Sequence, residues 1–274
     1  MITKKSVLVT GGAGGMGLAT AFKLSQNGFH VFVADNNAAM IKNVELTDGI
    51  TPLLMDVTDR KSIERAFNEI KSQTDSLAGV VNFAGILRVG SISEMPEETL
   101  SLLLDINVMG TYRVNQIFLP LLNRNIKGRI INISSETGWQ SGGPFNGAYA
   151  MSKHAIEAYS DSLRRELMFL GIDVVKIQPG PFKTEMVAGI EGNFNKAIEN
   201  TQHFTKQITR VKELALNEQS KAHSPDIIAL TVLKALTCKK PKAAYSVKAD
   251  LARTLLEIFP TSFADFLLKK VIGQ

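Results

Sequence analysis

Tyr149 and Lys153 stand four positions apart at the start of a helical pattern, so both side chains project from one helix face. A phenol beside an ammonium is a proton-transfer pair. Free tyrosine titrates near pH ~10, and a general base at neutral pH needs a value nearer ~7. That shift of about 3 units corresponds to about 4 kcal/mol, which a Lys153 cation helps supply by favouring the phenolate. Ser134 and Ser135 close the apolar run that precedes this helix. A hydroxyl there can hydrogen-bond a substrate oxygen and steady its developing charge. The Tyr-x-x-x-Lys spacing is common by itself, so its weight comes from its surroundings.

A second set of residues lies near the beginning of the chain. Thr10-Gly11-Gly12-Ala13-Gly14-Gly15-Met16-Gly17 follows a short apolar run. It fits a glycine fingerprint in two registers, Gly12/Gly14/Gly17 and Thr10/Gly11/Gly15/Gly17. Glycines between a strand and a helix let the backbone approach a pyrophosphate, and the helix start offers free N–H groups to it. Asp35 stands 18 residues after Gly17, where a carboxylate accepts from both ribose hydroxyls of an adenosine and repels a 2′-phosphate. Asn36 and Asn37 follow it, with no adjacent Lys or Arg. The expected cofactor is NAD, ahead of NADP.

These groups need a scaffold that brings them to one edge. Apolar runs at 6–10, 30–35, 50–55, 77–83, 128–134 and 172–178 read as strands. Between them, 18–26, 38–46, 59–73, 96–123 and 148–170 read as helices, with Asp59 as a cap and Gly28 and Gly171 as stops. Strands alternating with helices demand right-handed crossovers and a parallel sheet buried on both faces. The expected fold is α/β, a doubly wound parallel sheet of the Rossmann type, in a single domain spanning 1–274. Residues 183–223 break the rhythm and read as a partly helical lid. A helix at 225–237 and a seventh strand at 243–247 precede a helical tail, about 248–274.

With the residues in this order, the chain resembles the short-chain dehydrogenase/reductase family over roughly 5–185. The glycine loop matches the family's Thr-Gly-x-x-x-Gly-x-Gly. Asp56-Val57 resembles its adenine-holding pair, and Asn82-Phe83-Ala84-Gly85 its Asn-Asn-Ala-Gly, with Phe83 a departure. Asn107-Val108-Met109-Gly110 resembles the segment that supplies a catalytic Asn, and Tyr149-Ala150-Met151-Ser152-Lys153 matches the active-site motif. Pro179, Gly180 and Thr184 fall in a segment resembling the one whose Thr contacts the carboxamide. The resemblance implies hydride transfer between an alcohol and its ketone or aldehyde. Tyr149 would be the base, Ser135 would hold the substrate oxygen, Lys153 would also hold the nicotinamide ribose, and Asn107 would anchor a relay water. The positive nicotinamide would add to the Lys153 effect on the phenol. Ser135 lies 14 residues before Tyr149, slightly farther than is usual in the family, and is preferred to Ser134 as second of the pair. Residues 157–167 look like the retinol and hydroxysteroid dehydrogenase branch, which implies a bulky apolar substrate. The alternatives are a small polar alcohol or sugar, and a catalytically silent nucleotide sensor or scaffold. A homodimer or homotetramer is implied by the same resemblance.

Composition narrows the rest. The chain has 274 residues, 45% of them hydrophobic, enough for a sizeable core. A net charge of +5 is scattered without a basic run, so no nucleic-acid partner is expected. Cys238 is the lone cysteine, which excludes an intramolecular disulfide. His30, His154, His203 and His223 lack ligand spacing, and no metal is expected. Without signal-peptide character at the start or a long apolar span, a cytoplasmic location is expected. The tail repeats apolar residues from Leu251 to Ile272 with Arg253, Lys269 and Lys270 among them. It could cover an apolar pocket, dock on the core or a partner subunit, or rest peripherally on a membrane.

Overall fold

The computed structural model describes residues 4–44, 48–122, 127–184 and 189–273. Seven strands form one parallel sheet: β1 Ser6–Thr10, β2 His30–Asp35, β3 Ile50–Leu54, β4 Gly79–Asn82, β5 Arg129–Ile133, β6 Asp173–Pro179 and β7 Ala244–Val247. Their order is β3-β2-β1-β4-β5-β6-β7, with every neighbouring pair parallel. The winding reverses between β1 and β4, and ligands of such sheets bind at that crevice, beyond the strands' carboxyl ends.

The sheet forms because its strands are apolar on both faces. Val7 and Val9 pack to one side with α1 (Gly15–Gln26) and α9 (Asp226–Thr237), through Ala21, Leu24, Ile228 and Val232. Leu8 points to the other, with α3 (Arg60–Gln73), α5 (Thr111–Phe118) and α6 (Gly147–Leu167), through Ile63, Ile70, Val114, Phe118 and Leu167. α2 (Ala38–Val44) completes the first layer through Ile41 and Val44, and α4 (Glu97–Leu104) leads into α5. Pro52 sits in β3 at an edge, where a missing N–H is tolerated. Buried Arg129 bonds Asp173 and donates to the carbonyls of Ala235 and Cys238 at the end of α9. Its charge meets the negative end of that helix.

Several boundaries differ from expectation for physical reasons. α1 begins at Gly15 rather than at 18, because the last glycines of the loop form its first turn. The helix expected over 96–123 is one rod in three parts. A π stretch at Asp105–Gly110 joins α4 to α5, and a tight turn at Leu119–Leu121 ends the rod where Pro120 stands. Residue 123, and residues 45–46 of the second expected helix, lie outside the described residues. α6 ends at Leu167 rather than 170, and a tighter turn over Met168–Leu170 leads to the expected stop, Gly171, in the left-handed region at φ 71°. In the expected lid, α7 (Ile190–Asn200) and α8 (Thr205–Ser220) form a helical pair, and the tail carries α10 (Leu251–Leu256) and α11 (Thr261–Ile272). Among the described residues, no helix is long and apolar enough to cross a membrane.

Candidate active site

The glycine loop closes over a cleft of about 250 Å³ at the β1/β4 crevice. Gly11 has φ 61°, and a Cβ there would lie 2.7 Å from the Ala84 nitrogen. A Cβ on Gly17 would lie 2.1 Å from the Gly11 carbonyl oxygen. The loop can therefore fold this tightly only with glycine at both positions. α1 starts without a side-chain cap, so its first N–H groups stay available to an anion at the positive end of the helix. Gly11, Gly15, Met16, Gly17, Asp35, Asp56, Val57, Ala84, Gly85 and Thr184 all line the cleft. Among the described residues lining it, Asp35 and Asp56 are the only charged ones. Asp35 accepts from the Ala13 N–H at 3.3 Å and the Asn37 N–H at 3.1 Å, which fixes its carboxylate at the end of β2. Asp56 uses one oxygen for the N–H and hydroxyl of Thr58, at 2.8 and 2.7 Å.

Other expected cofactor residues play supporting parts. The Thr10 hydroxyl accepts from the Ala84 N–H at 3.3 Å and ties the ends of β1 and β4. Asn82 does not line the cleft. Its amide donates to Asn115 at 2.8 Å and Asn132 at 2.9 Å, inside a buried polar network that continues to Ser160 and Tyr159. Pro179 ends β6, and Gly180 packs under the chain after β7, where a Cβ would lie 2.0 Å from the Lys248 carbonyl oxygen. Neither lines the cleft. Asn36, Met40, Met55, Phe83, Ile86 and Ile106 line it without having been expected to, because a bend and apolar neighbours carry no spacing signal.

The catalytic candidates meet one another at the carboxyl edge of the sheet. Lys153 is buried and donates to the Ile133 carbonyl at 2.9 Å, with its ammonium 5.5 Å from the centre of the Tyr149 ring. Burial pulls its pKa down to about 8, while Glu157, one helical turn on, holds it up. The Tyr149 hydroxyl is hydrogen-bonded with Ser135. Thr137 donates twice to the Ser135 oxygen, from its N–H at 3.2 Å and its hydroxyl at 3.0 Å. With both lone pairs taken, Ser135 has its one hydrogen left to donate, toward Tyr149 or a substrate oxygen. The Ser134 hydroxyl is buried without a hydrogen-bond partner among the described residues, and it is the second serine of the pair that meets the tyrosine.

One expectation changes. In the protein alone, the Tyr149 phenol is pushed up to about 12, not down. Burial is the main cause, Glu136 adds to it, and only the Ser135 hydrogen bond opposes. Asn107 sits in the π stretch, and such bulges cluster at functional sites. Its amide is already spent: Oδ1 accepts from the Ile86 N–H at 2.7 Å, and Nδ2 donates to the Ile86 carbonyl at 2.9 Å and the Ser152 hydroxyl at 3.1 Å. Both amide hydrogens are thereby taken, so the Asn107 side chain has none left to offer a water.

The turn between α7 and α8 is tied to the segments that precede α4 and α6. Glu94 accepts from the Thr201 hydroxyl and from the N–H groups of Gln202 and His203, and Phe204 meets Phe145 at 5.6 Å between ring centres. A second recess of about 480 Å³ opens at the start of α6, lined by Ile92, Gly142, Gly143, Pro144, Phe145 and Met151 among others.

Comparison with known proteins agrees with the fold. The family model for short chain dehydrogenase matches residues 5–194. Retinol dehydrogenase 16 of Mus musculus is 33% identical over 281 residues, covering 96% of this chain and 87% of the relative. An NADPH-dependent 3-dehydrocapnine reductase of Ornithobacterium rhinotracheale is 32% identical over 276 residues, covering 96% and 95%. The crystal structure of a short-chain dehydrogenase from Streptomyces avermitilis superposes with a TM-score of 0.79 at 22% identity, over 100% of this chain and 98% of that one, which speaks for the fold. The chain is an oxidoreductase that belongs to the short-chain dehydrogenase/reductase family.

Proposed function

We propose that this protein is an NAD-linked dehydrogenase or reductase interconverting a bulky apolar alcohol and its ketone or aldehyde. The observation that carries the reading is the convergence of Tyr149, Ser135 and Lys153 beside the glycine-loop cleft. The cleft fits a dinucleotide, since its glycines leave a cradle that a Cβ would fill. When bound, the nicotinamide supplies the hydride acceptor or donor. In oxidation, Tyr149 takes the hydroxyl proton while Ser135 donates a hydrogen bond to the same oxygen. Lys153 holds positive charge near the forming phenolate and offsets the burial that keeps the phenol protonated. Glu157 keeps that charge in place, while itself paired with Lys176 at 2.8 Å.

Asp35 supports NAD, because a 2′-phosphate would meet a fixed carboxylate in a cleft without a basic side chain among its described lining. The apolar recess beside the start of α6 and the aromatic contact under the lid support a bulky apolar substrate. A screen of alcohols and ketones with both cofactors tests this. Catalytic efficiency should be higher with NAD and should rise with apolar area along a homologous alcohol series. A tenfold preference for NADP would overturn the cofactor assignment, and good turnover of a polyol with a flat series would overturn the substrate class.

The same reading places the enzyme in the cytoplasm as a homodimer or homotetramer. Leu102, Met109, Tyr112, Met168 and Phe169 are exposed along the α4–α5 rod and the end of α6, which supports pairing there. Leu251, Ile258 and Phe266 are exposed on the tail, which supports peripheral membrane contact. Light scattering should give two or four times the 29.9 kDa chain mass, and a monomer would contradict the pairing. Vesicle co-sedimentation tests the tail, and protein left wholly in the supernatant would exclude the membrane contact.

A further inference from the structure

The residue after Ser135 is an acid that the reaction scheme leaves without a task. Glu136 is only 8% exposed, and both its oxygens face the C-terminal tail. Oε2 accepts from the Asp250 N–H at 2.7 Å, and Oε1 lies 3.9 Å from the Arg253 guanidinium. Asp250 in turn caps α10, accepting from the N–H groups of Ala252 and Arg253 at 2.7 and 3.0 Å. Two further links join the same segments. Gln140 donates to the Thr254 hydroxyl at 3.2 Å, and Ser141 donates from its N–H and hydroxyl to Glu257 at 2.7 and 2.9 Å. The start of the tail is therefore fastened, along its length, to the loop that begins at Ser135. Thr137, which sets the direction of the Ser135 hydroxyl, lies inside that loop.

We propose that Glu136 is a positioning residue, coupling the docking of α10 to the Ser135–Tyr149 pair, so that the tail acts as a latch on the catalytic loop. The proposal rests on the reading of Tyr149 as the base. The charged groups facing Glu136 are Asp250 and Arg253 from the tail and Glu218 from α8, the last with Lys221 beside it. Those facing Tyr149 and its partner are Glu136, Lys153 and, beyond the lysine, Glu157. Burial raises the Glu136 carboxyl, with the Asp250 N–H and Arg253 opposing, and its charge raises the Tyr149 phenol. A change at the latch is thus felt at the base through charge, and at Ser135 through the loop.

The experiment uses the full chain. E136Q keeps an acceptor for the Asp250 N–H but removes the charge that raises the phenol. The ascending limb of kcat/KM for alcohol oxidation, read against pH, should move to lower pH by about half a unit. E257A loosens the dock without touching that charge. Its limb should stay in place, while hydrogen exchange across 136–141 should quicken by about tenfold. An unmoved limb in E136Q, or unchanged exchange across 136–141 in E257A, would overturn the proposal. The exchange arm judges it even if E136Q fails to fold. Tyr149→Phe separates the two readings: if it stays active, the assignment of the base fails, whereas a silent Tyr149→Phe with an unmoved E136Q limb sinks the latch alone.

Discussion

Lys153 carries its charge where burial works against it. Its pKa falls from 10.5 to about 8, so the folded protein gives up its proton more readily than the unfolded chain does. Between those values the unfolded state binds more protons, and stability therefore rises as pH climbs from about 8 to about 10.5. At neutral pH the buried ammonium is a net cost, reduced by its bond to the Ile133 carbonyl. Lys153→Met should thus stabilise the protein at pH 7 by about 1–2 kcal/mol while abolishing turnover. The gap to the parent should close as pH rises, and thermal melts across that range check it. A destabilised variant at pH 7 would show that the charge is worth more to the fold than burial costs. The Tyr149–Lys153 pair was legible in the sequence, because a four-residue spacing on a helix needs no tertiary information. The direction of the Tyr149 shift was not, since the burial that raises it comes from segments far away in the chain. Glu136 was hidden for the same reason: only the fold shows that its carboxylate is covered by the tail.

Among the elements, the glycine loop and the rod that carries Asn107 behave oppositely under inspection of the sequence. The loop could be read because its glycines answer to backbone contacts that no side chain permits. Gly17→Ala tests this, since its Cβ would lie 2.1 Å from the Gly11 carbonyl oxygen. The variant should lose about 1–3 kcal/mol of stability and weaken NAD binding at least tenfold, as melts and cofactor fluorescence would register. Unchanged NAD affinity would mean that the cleft does not hold the pyrophosphate against this loop. The π stretch at Asp105–Gly110 could not be read. One widened turn barely disturbs the apolar period of a long helix. The early end of that rod at Pro120, by contrast, has a sequence cause in the missing N–H. Strand positions were legible because a sheet buried on both faces leaves unbroken apolar runs, while the supporting role of Asn82 depends on partners from β5 and α5.

For the whole molecule, a parallel sheet covered by helices on both faces follows from the alternation of strands and helices along the chain, whereas its strand order is known only from the fold. The tail does not follow from that alternation. Its apolar repeat favoured docking on the core or a partner subunit and left a pocket cover and a membrane contact open, and the links from Asp250, Thr254 and Glu257 to the Ser135 loop show how its first turn docks. Catalysis is the property that would draw these levels together, because the proposed base Tyr149, with Ser135 and Lys153, comes from α6 and the loop after β5, while the cleft lies at the ends of β1, β2 and β4. The most direct test is turnover by Tyr149→Phe, measured with NAD and the best alcohol of the screen, beside the dissociation constant for NAD. Turnover should fall by at least about 10²-fold with NAD affinity unchanged; near-normal turnover would show that the proton leaves by another group and would contradict the account.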